Sequence, residues 1–222
     1  MTSQLNARHK PEFRLLTFYK FVDIPESELD DIAQEHLDFC RDIGLKWRVY
    51  IGTEGISSTV TGNLGQCRAY RGFLEASQYF RDIPHIDEKA TKVAGHEFPR
   101  MSVKIRNEIV TFGVKVTADQ VKKHKKELTP TEFKEILESD KKDDYLILDM
   151  RNDYEYRLGH FKNAIPAGTT NFREVPKLLE KYNEMAKGKK VIWYCTGGIR
   201  CEKAAVLANA FGGTEFYSIE WW

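Results

Sequence analysis

No apolar run in the 222-residue chain approaches the roughly 20 residues that cross a bilayer, and residues 1–10 lack the apolar stretch of a secretory leader. The expectation is a cytoplasmic protein with no membrane partner. Excess charge is missing as well: 34 Lys and Arg against 33 Asp and Glu leave +1. Any contact with nucleic acid must therefore rest on a local patch. Cysteine is sparse, and Cys40, Cys67, Cys195 and Cys201 include no CxxC pair and no zinc spacing, so they read as free thiols of a reducing compartment. A Rossmann glycine fingerprint, a P-loop and a His/carboxylate set for non-haem iron are all lacking. No cofactor and no metal site is identifiable from the sequence, and nothing in it implies a stable protein partner.

What is present falls into two patterns. Phe13–Phe21 is aromatic and β-prone, and Pro25 opens a helix that Gly44 stops. Strands follow over Trp47–Ile51 and Ile56–Thr61, separated by the turn Gly52-Thr-Glu-Gly55. A helix spans Gln66–Phe80, and strand-like stretches cover Ile86–Val93 and Met101–Val110. The order β-α-β-β-α-β predicts an α+β, ferredoxin-like (acylphosphatase-like) domain over 1–113. Cys40 falls on the inner face of the first helix and reads as core. Residues 114–128 hold five Lys against two acidic side chains, with Lys122-Lys-His-Lys-Lys126 at their centre. They read as a basic linker, either solvated or touching phosphate.

From Thr129 the pattern changes. Thr129-Pro130-Thr-Glu132 is a capping box with proline at the first helical position. Buried strands over Tyr145–Asp149 and Lys190–Tyr194 alternate with helices over Tyr154–Leu158, Phe172–Tyr182 and Arg200–Ala210. This predicts a second, α/β domain over 129–222 with a parallel sheet. After Phe211 one short strand is expected and a closing helix is missing, so this domain reads as possibly C-terminally incomplete.

The second strand ends at Cys195, and Thr196-Gly-Gly-Ile-Arg200 leads into a helix. A thiol there sits in the crevice at the carboxyl end of a parallel sheet, facing a helix N-terminus. Converging backbone N–H groups and the helix dipole favour negative charge, so the Cys195 pKa should fall and Cys195 reads as the catalytic nucleophile. Thr196, Gly197, Gly198, Ile199 and Arg200 form the expected substrate cradle. Arg200 reads either as an inward loop closure bonding backbone carbonyls or as a charge partner of the thiolate and substrate.

Asp149-x-Arg151, Gly159-His160-Phe161-x-x-Ala164 and Cys195-x-x-Gly198-x-Arg200 stand in the order and spacing of the rhodanese fold, which the second domain resembles. The related dual-specificity phosphatases carry one more residue in this loop, so the six residues from Cys195 to Arg200 argue against phosphate as the ligand. The stretch Cys195-Thr-Gly-Gly-Ile-Arg-Cys-Glu-Lys-Ala204, with Arg151-Asn-Asp-Tyr-Glu155 and Phe172-Arg-Glu174 upstream, is similar to the TrhO/YceA family. Gly52-Thr-Glu-Gly-Ile56 matches its N-terminal turn, with Ser57-Ser58 where the family has Asn-Gly. The resemblance implies a rhodanese-domain enzyme that hydroxylates the wobble uridine of tRNA. Molecular oxygen is the co-substrate and the anticodon loop of tRNA the partner. A sulfurtransferase carrying a persulfide on Cys195 and a non-catalytic RNA-binding module are the alternatives.

Accessory roles follow. Cys201 either resolves an oxidised Cys195 or packs. Asp149 and Arg151 read as an ion pair holding the active loop. His160 reads as a loop histidine rather than a base. Glu54 is a weak candidate for facing substrate, and Trp193 reads as core.

Overall fold

Alternation of aromatic and polar residues builds strand β1, Phe13–Phe21, whose Leu16 and Phe18 point into the core. The computed structural model describes residues 13–91, 95–96, 98–209 and 214–220. The chain divides into two compact units, Met1–Arg106 and Asn107–Trp222.

In the first unit, β1 is followed by a 3-10 turn at Glu26–Glu28 and helix α1, Leu29–Asp42, with Asp30 and Asp31 in its first turn. Its inner face carries Leu29, Ala33, His36 and Cys40, so Cys40 is core as expected. Strands β2 (Lys46–Gly52) and β3 (Gly55–Asn63) form a tight hairpin. Helix α2 runs Leu64–Ala76, two residues ahead of the expected start, because Asn63 and Gln66 form a reciprocal capping box. It stops short of Phe80 because the Ser77 hydroxyl accepts the N–H groups of Tyr79 and Phe80 and turns the chain. Strands β4 (Asp87–Thr91) and β5 (Met101–Ile105) complete a sheet of order β4-β1-β3-β2-β5. The first four strands are antiparallel to their neighbours, the ferredoxin-like split β-α-β arrangement, and β5 adds parallel to β2. The end of the expected strand Ile86–Val93 lies outside the described residues.

The second unit includes the segment expected as a linker. Residues Ala118–His124 form helix α3, capped by Thr117 and Gln120, and Val116 and Val121 are buried. Glu127–Leu128 is strand β6, parallel to β10 (Phe216–Ile219). Lys125 pairs with Glu127 and Glu202, and Lys126 with Glu215, so part of the basic cluster is neutralised by the fold that holds it. Then come α4 (Pro130–Glu138), β7 (Tyr145–Asp149), α5 (Asp153–Leu158), β8 (Ile165–Pro166), α6 (Leu179–Met185), β9 (Lys190–Tyr194) and α7 (Ile199–Ala208). The helix expected over Phe172–Tyr182 is a 3-10 turn to Leu178 before α6, since Pro176 has no N–H to continue an α-helical ladder.

The sheet order is β6-β10-β9-β7-β8, and every pairing is parallel. Strand β9 is central and buried on both faces, as its unbroken apolar run requires. Val191 and Trp193 pack on the α6/α7 side and Ile192 and Tyr194 on the α4 side. Trp193 is core, as expected. The fully buried Lys203 of α7 ties that helix to the unit's start, with its Nζ 2.7 Å from Glu108 Oε2 and 3.2 Å from the Val110 carbonyl.

Candidate active site

Strands β7 and β9 end side by side, with Asp149 in register with Tyr194. Cys195 is the next residue, only 2% exposed, and its Sγ accepts the Gly198 N–H at 3.1 Å. Gly198 has φ 92°, which lets the loop turn under the sulfur and places it as N-cap of α7. Burial alone would raise the thiol pKa. Against it act a hydrogen bond from the Cys201 thiol, the charge of Arg200 and the backbone N–H groups of Gly197 and Arg200, which together hold Cys195 down at about 5. Cys201, fully buried, is pushed the other way by burial and by the neighbouring sulfur, so one thiol of the pair is the anion and the other its donor.

Arg200 is gripped from outside the loop. Its two terminal nitrogens each lie 2.8 Å from an oxygen of Glu155, and Nη2 is 3.0 Å from the Thr196 hydroxyl, itself 3.1 Å from Glu155. Glu155 also accepts the Asn152 N–H that starts α5. The Arg200 guanidinium, the Asn152 N–H and the Thr196 hydroxyl outweigh burial and hold its carboxyl at about 2. Arg200 braces the loop through the Glu155 carboxylate and the Thr196 hydroxyl instead of backbone carbonyls, and its charge lowers the Cys195 pKa. In the sequence the spacing Asn152-x-x-Glu155 marks only a helix start, and nothing local signals that Glu155 reaches Arg200.

Asp149, fully buried, forms the expected ion pair with Arg151, whose Nη2 is 2.6 Å from Oδ2 and whose Nε is 2.9 Å from Oδ1. Arg151 also donates to the Gly159 carbonyl, tying β7 to the loop before β8. The Tyr194 hydroxyl donates to Asp149 at 2.7 Å and accepts the Phe161 N–H at 3.2 Å. Burial and the Asp149 carboxylate raise its pKa, so it remains a neutral donor.

A cavity of about 330 Å³ is lined by Arg151, Gly159, His160, Phe161, Tyr194, Cys195 and Thr196. That volume is at the small end of ligand pockets (about 300–1,000 Å³). Of the expected cradle, only Thr196 stands on its wall. Gly197, Gly198, Ile199 and Arg200 do not line it, because their backbone wraps Sγ. The wall comes instead from the 159–161 loop, where His160 stacks on Tyr156 with ring centroids 3.8 Å apart. Glu54 is buried in the β2–β3 turn of the first unit. Among the described residues, no three His, Cys, Asp or Glu side chains gather as a metal site.

A parallel sheet with a thiolate loop at the carboxyl end of its central strand defines a rhodanese-type domain. Residues 129–221 match the rhodanese-like domain family, and residues 13–109 match the UPF0176 acylphosphatase like domain. The chain is 40% identical over 192 residues to a Staphylococcus carnosus protein named tRNA uridine(34) hydroxylase. It is also 40% identical over 193 residues to a Bacillus velezensis protein of the same name. These alignments take in 86% of this chain and 58% and 57% of the two relatives. The chain is similar to these proteins over most of its own length, and it spans 58% of the length of the first. No helix among the described residues is long and apolar enough to cross a membrane.

Proposed function

We propose that the chain hydroxylates C5 of uridine 34 in the anticodon loop of cytoplasmic tRNA, with Cys195 as nucleophile. The observation that carries this reading is a thiolate-stabilised Cys195 lining a small pocket, in a chain whose relatives bear that name. A loop base is presented to such a pocket at low unstacking cost.

The Cys195 thiolate adds to C6 of the uracil, breaking the C5–C6 double bond and leaving an enolate across C5 and O4. Arg151, on the pocket wall, supplies a positive charge to offset that developing anion. Oxygen takes the electron pair at C5 and, with a proton, becomes a C5 hydroperoxide. A thiol reductant supplies two electrons and two protons, splitting the O–O bond to C5–OH and water. Loss of the C5 proton expels the Cys195 thiolate and restores the double bond. Uridine, oxygen and two thiols thus become 5-hydroxyuridine, water and a disulfide.

Cys195→Ser removes the nucleophile without a change of size. Mass spectrometry of tRNA nucleosides, from a strain lacking the protein and rescued with either form, should show 5-hydroxyuridine only with Cys195. Hydroxyuridine formed by the serine protein would overturn the scheme.

A further inference from the structure

The first unit's sheet buries one face against α1 and α2, where Leu16, Phe18, Val49, Ile51, Ile56 and Val60 form the core. The alternate residues point the other way, and strand register fixes their neighbours. Tyr19 pairs with Ser57, Ser57 with Tyr50, and Tyr50 with Lys104, a single row across four strands. The adjacent row is Thr17, Thr59, Arg48 and Ser102.

The Arg48 guanidinium lies 4.8 Å and that of Arg106 5.2 Å from the Tyr50 ring centre, while Tyr19 meets Phe21 edge-on at 5.9 Å. Arg48, Lys104 and Arg106 are exposed, and no carboxylate among the described residues pairs with them. Asp87 sits toward the far edge, beside Thr17. Half-exposed aromatic rings with short hydroxyl side chains between them, flanked by unpaired cations, make a polar floor unsuited to an apolar partner.

We propose that this open sheet face binds single-stranded RNA, with bases stacked on Tyr19 and Tyr50 and phosphates met by Arg48, Lys104 and Arg106. Aromatic stacking and cationic contact are how a four-stranded sheet holds unpaired nucleotides. Neither uses the chemistry at Cys195. The choice of a tRNA loop as occupant rests on the function proposed above, whereas the single-strand chemistry rests on the face itself.

The probe is a fluorescein-labelled anticodon stem-loop with uridine 34, compared by anisotropy with a fully paired duplex of equal length on the full chain. The stem-loop should bind more tightly than the duplex. Tyr50→Ala should weaken stem-loop binding about 5- to 100-fold, and Tyr50→Phe should keep it within about twofold. Arg48→Gln, at an exposed position, should lower the slope of log affinity against log salt by about one. Melting curves taken alongside confirm that each variant is folded. Equal binding of duplex and stem-loop, or wild-type affinity and salt slope in both Tyr50→Ala and Arg48→Gln, overturns the platform. Hydroxyuridine formation is read separately in the same preparations. A protein that forms it but fails the binding arms sinks only the platform, and one that passes the binding arms without forming it sinks only the hydroxylase reading.

Discussion

Burial alone would lift the Cys195 thiol above its ordinary range, yet four nearby groups hold it at about 5. The sign is that of a depressed acid: the thiolate is present above about pH 5 and lost as pH falls through that value. Its rate of alkylation by a small haloacetamide should therefore stay high from neutral pH down to about 5 and then drop. An ordinary thiol would already have lost its thiolate below about pH 8.5. In Arg200→Gln the inflection should move up by at least about one unit, since a full charge is lost beside a buried sulfur. A wild-type inflection above pH 8 would remove the thiolate cradle from the account. At this scale Cys195, Arg200, Asp149 and Arg151 were legible because loop length and residue type carry their chemistry. Glu155 was not, since a capping glutamate looks the same whether or not an arginine reaches it.

Elements were legible where a cap or a period marks them. The capping box at Thr129 and the apolar run Lys190–Tyr194 gave α4 and β9 directly. Errors fell where a side chain outside the pattern intervenes, as Ser77 does after α2 and Pro176 before α6. The β2–β3 hairpin hinges on Gly55, whose φ is 134°. A Cβ there would lie 2.0 Å from the Lys20 carbonyl oxygen, a backbone atom of β1. Gly55→Ala should therefore destabilise the first unit by at least about 2 kcal/mol. Gly72, exposed in α2 with nothing within 4 Å of its Cβ position, should tolerate alanine and gain up to about 1 kcal/mol. Urea unfolding of the two variants tests the contrast, and equal midpoints would show that the close approach at Gly55 is not rigid.

For the whole molecule, every group that tunes Cys195 lies in Asn107–Trp222, while the proposed RNA face lies in Met1–Arg106. Residues 107–222 expressed alone should keep the alkylation inflection near pH 5 and lose affinity for the anticodon stem-loop. A fragment that binds the stem-loop as tightly as the full chain would place RNA recognition in the rhodanese-type unit. The fragment must begin near Asn107, not at Thr129, because Glu108 holds the buried Lys203 and β6 pairs with β10. Composition hid this: residues 114–128 are basic and look solvated, but Val116 and Val121 anchor them.

By itself the sequence determined the two patterns of elements, the loop length and the place of Cys195 at the loop's head, because hydrophobic period, glycine placement and a cysteine at a strand end act over a few residues. Only tertiary structure decided which groups surround that cysteine. Glu155, Tyr194 and the 159–161 loop reach the site from separate elements, and of the cradle residues only Thr196 lines the pocket. The same holds for the row Tyr19, Ser57, Tyr50 and Lys104, which sequence separates and strand register assembles.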